Sequence, residues 1–100
     1  MSEFLLTLEL EELCESARLP REVLLEIVEV GIVEPLERRG DQWLFSVESL
    51  TLVRRAVRLH REFELDWPGI AVALRLLDEV ELLRSENARL RQRLSRYEED

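Results

Sequence analysis

Three carboxylates stand at i, i+4 and i+7 in the stretch Leu19-Pro-Arg-Glu-Val-Leu-Leu-Glu-Ile-Val-Glu-Val-Gly31: Glu22, Glu26 and Glu29. Helical spacing gathers them on one face, with Leu25 beside them and Leu24, Ile27 and Val28 turned to the core. Such a row attracts basic groups and repels phosphates. Its chemistry is docking rather than proton transfer, since no histidine stands at a spacing that would complete an acid–base pair. Trp43 supplies a candidate apolar anchor, an aromatic beside acids being the make-up of a binding hot spot. Its other reading is a hairpin residue packed on the core. A second row at the same spacing, Arg54, Arg58 and Arg61, has the opposite sign. It reads as a solvated face balancing acids such as Glu62 and Glu64, or as a second docking surface for an acidic patch on the same partner.

The other reactive residues offer little. Cys14 is the only cysteine and His60 the only histidine, so neither an intrachain disulfide nor a metal cluster can be assembled. Cys14 falls among apolar helical positions, where a small buried thiol is the ordinary outcome. No glycine-rich phosphate loop or nucleophile motif is present. Neither catalysis, a metal nor a cofactor is expected.

Composition narrows the class. The chain has 100 residues, 46% of them hydrophobic and 36% charged, with 3 glycines and 3 prolines, which fits one folded domain with an appended helix. Residues 1–50 contain 12 acidic residues against 4 arginines, and residues 51–100 contain 10 of each, so the net charge of −8 lies entirely in the first half. An acidic half disfavours nucleic acid and favours a basic protein partner. The chain has no lysine, for which we have no physical account. No stretch approaches the ~18 apolar residues of a membrane span, and the start MSEFLLTLE lacks a basic leader region, so a cytoplasmic protein is expected.

The elements that must hold these residues follow in order. Glu3-Phe-Leu-Leu-Thr7 is a short apolar segment, either a small strand or a cover on the core. Thr7 is expected to cap a helix from Leu8 to Arg18, with Leu10 and Leu13 inward and Glu9, Glu11, Glu12 and Glu15 toward water or in the first turns. Leu19-Pro20 turns tightly into the second helix, with Pro20 in its first turn and Gly31 as its stop. The pair is a helix-turn-helix. After an extended exit through Ile32-Val33-Glu34-Pro35, Leu36 to Phe45 predicts a hairpin wing with Arg39-Gly40-Asp41 at its tip and Trp43, Leu44 and Phe45 on the return strand. Ser46 is expected to cap a third helix, Val47 to about Glu64, with Leu50, Val53, Val57 and Leu59 on its apolar side. Asp66 caps the last helix, with Pro68 tolerated in its first turn. Ile70 to Leu74 is apolar nearly all round and is expected to be buried. The fold class is mainly α, a winged helix-turn-helix over residues 1–65 followed by a long C-terminal helix over residues 66–100.

That last helix carries a seam. Leu76, Val80, Leu83, Asn87, Leu90, Leu94 and Tyr97 follow a 4-3-4-3 spacing. Placing Val80, Asn87 and Leu94 at a makes Leu76, Leu83, Leu90 and Tyr97 d, the combination that favours a two-stranded parallel coiled coil. The flanking pairs Glu79 with Arg84, Glu86 with Arg91 and Arg93 with Glu98 are all opposite in sign across a parallel pair. A homodimer is therefore expected, aided by the apolar Ile70–Leu77 portion, with packing on its own domain as the plainer alternative. Each exposed pair contributes at most ~1 kcal/mol, so the flanks bias orientation without dictating it.

The order of helix, turn, acidic helix ending EVGIVEP, wing RRGDQWLF, helix beginning SVESL and long terminal helix resembles the MerR-type winged helix-turn-helix. RAVRLHREFELDWPGIAVAL and the tail ENARLRQRLSRY resemble, more specifically, the CbpM family of chaperone modulators, and the resemblance covers nearly the whole chain. It implies a protein-binding inhibitor that holds the J-domain of the DnaJ-like co-chaperone CbpA, blocks its stimulation of the Hsp70 DnaK, and reduces its DNA binding. Departures from MerR-type readers point the same way. Leu25, Glu26 and Ile27 stand where those readers carry an arginine and aromatic residues, and Trp43 stands where their wing has an arginine. One departure concerns pairing: MerR dimers use antiparallel terminal helices, whereas the flanks here favour parallel. The rival function is a MerR-like transcription regulator gripping phosphates through Arg38 and Arg39 on the wing and Arg54 and Arg55 on the third helix.

Overall fold

A computed structural model describes residues 6–98. The elements run β1 (Thr7–Glu9), α1 (Leu10–Ala17), α2 (Arg21–Glu29), β2 (Glu37–Arg39), β3 (Gln42–Ser46), α3 (Glu48–Phe63) and α4 (Trp67–Glu98). The fold is mainly α, a helix-turn-helix with a small wing and a long terminal helix, as the hydrophobic patterning predicts.

The first helix starts later than expected. Thr7 is no cap: it pairs with Ser46, and Leu8 with Phe45 and Glu9 with Leu44 follow in an antiparallel ladder. That ladder draws residues 7–9 into the sheet, so Glu9 becomes the N-cap and its N–H donates to Glu12 Oε1 at 2.8 Å. The expected segment Glu3–Thr7 lies mostly outside the described residues. Pro20 likewise sits one step earlier than expected, at the N-cap of α2, where its fixed φ of −64° leads into the helix without an N–H to satisfy. A salt bridge from Arg21 to Glu11 at 3.0 Å ties α1 to α2.

Both helices close with the same capping geometry. Gly31, at φ +87°, donates to Val28 O while Ile32 donates to Ile27 O. Arg18 donates to Glu15 O and Leu19 to Cys14 O, but Arg18 holds the left-handed conformation, φ +58°, with a side chain attached. The expected stop at Gly31 is thus met, and its counterpart at Arg18 uses a residue poorly suited to the task.

The sheet has strand order β1-β3-β2. Arg39 pairs with Gln42, so the wing turns through two residues, Gly40 and Asp41, with Gly40 at φ +56°. Positive φ at the first loop residue gives the hairpin a turn that matches strand twist. Ser46 ends β3 instead of capping α3; its hydroxyl lies 3.5 Å from that of the buried Ser49, and Val47 takes the N-cap without a side-chain bond.

Leu10, Leu13, Leu24, Ile27, Val28, Val33, Phe45 and Val53 form the main core, joining α1, α2, the sheet and α3. A second cluster of Ala56, Ile70 and Leu74, with Ile32, Leu59 and Trp67 at its edge, seats the base of α4 on α3. Of the residues expected on the apolar side of α3, Val53 is central, while Leu50, Val57 and Leu59 lie at the rim. Ala56, also fully buried, faces α4 and is small enough to let the two helices approach. Asp66 caps α4 as expected, accepting the Gly69 N–H at 2.9 Å. The Ile70–Leu74 stretch is only partly buried: Ile70 and Leu74 are enclosed, but Val72 is 51% exposed.

Candidate functional site

The acidic row lies open. Glu22, Glu26 and Glu29 are all exposed, and none joins an ion pair or a side-chain hydrogen bond among the described residues. Their position follows from α2 burying Leu24, Ile27 and Val28 against the core, which leaves the opposite side to solvent. The wing then closes over one end of that side. Phe45 is fully buried, and Trp43, two residues toward the tip, projects from the same face of β3. Trp43 is half-buried, packed against the core and also lining a groove of about 310 Å³ with Glu22, Leu25, Glu26, Val28, Glu29 and Arg38. Trp43 thus packs on the core, as its hairpin reading expects, and also presents surface to the groove.

Arg38 was not among the expected groove residues. It pairs directly opposite Trp43 in the hairpin, and its guanidinium carbon lies 4.6 Å from the ring centroid. The two-residue loop sets that register; the tip Arg39-Gly40-Asp41 expected from the sequence is one residue too long and would have set Arg38 against Gln42.

The groove therefore combines an apolar floor, three carboxylates unpaired among the described residues, and one aromatic ring. No group in it has the pairing of a nucleophile with a base, and no cluster of three or more His, Cys, Asp or Glu suited to a metal occurs among the described residues. The arrangement suits a basic, partly apolar surface.

Comparison with known proteins agrees with the patterning. A sequence profile described as MerR HTH family regulatory protein matches residues 8–92. The chaperone modulatory protein CbpM of Pseudomonas putida (strain GB-1) is 49% identical over 96 residues, covering 96% of this chain and 95% of its own. The protein of the same name from Escherichia coli O1:K1 / APEC is 46% identical over 97 residues, covering 97% and 96%. The chain belongs to the CbpM family.

This CbpM-family chain leaves two further surfaces to account for. Arg54, Arg58 and Arg61 are exposed on α3, but none of them lines the groove. Arg54 donates to Ser16 O at 3.3 Å, near the carboxyl end of α1, where a cation suits the helix dipole. The rival phosphate-gripping set is largely occupied within the chain: Arg38 lies on Trp43, Arg39 pairs with Glu37 at 3.2 Å, Arg54 is bonded to Ser16, and Arg55 is half-buried. Along α4, Leu76, Val80, Leu83, Asn87, Leu90, Leu94 and Tyr97 are all exposed, Leu83 at 62% and Tyr97 at 75%. The chain does not cover its own seam.

Neither the lone thiol nor the imidazole lines the groove. Burial pushes the Cys14 thiol above its ordinary range, with Glu11 and Glu22 adding to the rise against the pull of Arg21. His60 stacks on Trp67 with ring centroids 4.3 Å apart, and its Nδ1–H donates to the Leu65 carbonyl at 2.6 Å, fixing the corner between α3 and α4. No helix among the described residues is long and apolar enough to cross a membrane.

Proposed function

We propose that this chain is a protein-binding chaperone modulator that holds the J-domain of a CbpA-type co-chaperone through the groove between α2 and the wing. By covering that surface it inhibits the partner's co-chaperone and DNA-binding activities. The observation that carries this reading is the exposed trio Glu22, Glu26 and Glu29, unpaired among the described residues, around an apolar floor of Leu25 and wall of Trp43. A basic J-domain helix would meet opposite charge at the rim and an aromatic contact within. The name shared by the relatives, chaperone modulatory protein, supports the chaperone side of the reading.

Residues 1–65 act as the binding unit in this proposal, and residues 66–100 as the helix that pairs two chains through the exposed seam. The protein works by binding in the cytoplasm and performs no catalysis. Arg54, Arg58 and Arg61 form the second contact, reaching an acidic patch on the same partner.

The test is co-elution with a purified J-domain. Glu22→Arg with Glu26→Arg abolishes co-elution while far-UV circular dichroism stays unchanged. Survival of binding in that double reversal removes the acidic face from the contact. Specific retention of duplex DNA at low salt, with no J-domain bound, would replace the proposal with the regulator reading.

A further inference from the structure

The groove contains a cation of its own. Arg38 lies in a cleft bordered by Glu22, Glu26 and Glu29, yet it pairs with none of them and sits instead on the Trp43 ring at 4.6 Å. Its side chain is exposed and attached to a three-residue edge strand, and among the described residues the aromatic contact is what holds it there. That leaves the carboxylates uncompensated while the ring face, the one aromatic surface of the groove, is covered.

We propose that Arg38 is a displaceable lid on Trp43, which the incoming basic side chain of the partner must push aside to take the same place. This deepens the binding reading above and rests on it. Two guanidinium groups cannot share one ring face beside one another without like-charge repulsion. The partner's cation is drawn in by three carboxylates that Arg38 does not neutralise by contact. An exposed cation–π contact is worth ~0.5–1 kcal/mol, which corresponds to roughly a two- to fivefold effect on affinity. Arg38 thus sets a modest threshold: a partner with a single weak cation gains little, whereas one with an arginine or lysine backed by further basic residues displaces it.

The experiment compares Arg38→Met with Arg39→Met in binding to a purified CbpA-type J-domain. Both variants remove one positive charge from the wing, but only Arg38 covers the ring. The lid predicts that Arg38→Met tightens binding two- to fivefold beyond Arg39→Met, and that this gain vanishes when Trp43 is also changed to Leu. Weaker binding by Arg38→Met would make Arg38 a contact to the partner, and equal effects of the two variants would reduce it to general charge; either overturns the lid. An independent probe separates this from the partner reading. In a Trp67→Phe background, an oligoarginine peptide should quench Trp43 fluorescence at lower concentration in Arg38→Met than in Arg39→Met. If the J-domain does not bind but the peptide does so with that preference, the partner is wrong and the lid stands. If the J-domain binds and neither assay separates the two variants, the lid is wrong and the partner stands. If neither the J-domain nor the peptide reaches the groove, both fall.

Discussion

At the scale of single residues, two kinds of position divide the chain. Glu22, Glu26 and Glu29 were legible from spacing alone, because a helix that buries Leu24, Ile27 and Val28 has only one other side to offer. Arg38 was not, because its partner Trp43 is set by cross-strand register, and register depends on whether the wing turns through two residues or three. Arg18 was also illegible: nothing in its identity announces a left-handed cap. A side chain in that conformation costs about 1–2 kcal/mol, and glycine would avoid it at the expense of ~0.5–1 kcal/mol of chain entropy. Arg18→Gly should therefore stabilise the fold by roughly 0.5–1 kcal/mol, read as a rise of a few degrees in Tm. Cys14 gives a second residue-scale expectation. With its thiol pushed up chiefly by burial, its thiolate is scarce at mildly alkaline pH, and it should react with a thiol reagent more slowly than free cysteine until the chain is denatured.

At the scale of elements, local propensity located every helix but misplaced several beginnings. Thr7 and Ser46 are good capping residues by type, and they pair with each other in the sheet instead. Pairing between distant segments overrode a local preference that a sequence window can see. Ala56 escaped notice for a different reason, since alanine adds little to a hydrophobic pattern although it decides how closely α3 and α4 approach. That contact is testable at Ile70, which is fully buried against it. Ile70→Ala should destabilise the protein by roughly 2–5 kcal/mol, measured by urea unfolding, while leaving the groove residues in place. The seam of α4 is tested at Leu83 and Leu90. Leu83→Glu with Leu90→Glu should convert a paired species to single chains by sedimentation equilibrium. In a Cys14→Ala background, Tyr97→Cys should form an interchain disulfide if the helices run parallel and none if they run antiparallel about Asn87.

At the scale of the whole molecule, charge and shape matter more than any contact. The net charge of −8 is concentrated where the groove lies, so capture of a basic partner should be steered by long-range attraction. Raising salt from about 50 mM to about 500 mM should slow association by about tenfold or more and change dissociation far less, as stopped-flow fluorescence would show. The general architecture was readable in advance from the alternation of helical and strand periodicities. The base of α4 was only partly so, because an apolar run on all sides does not say which side a neighbour will take; Ile70 and Leu74 went inward and Val72 outward.

The overhang of α4 has a practical consequence for anyone handling this protein. From Arg75 to Glu98 the helix touches no core, a rod of ~36 Å projecting from a small head. The radius of gyration is 18.1 Å, against ~13 Å for a compact chain of this length. Frictional drag will make even one chain migrate through a sizing column as though it were considerably heavier than 11.9 kDa. Elution volume is thus a poor counter of copies, and the number of chains in solution has to be weighed by light scattering or in the ultracentrifuge.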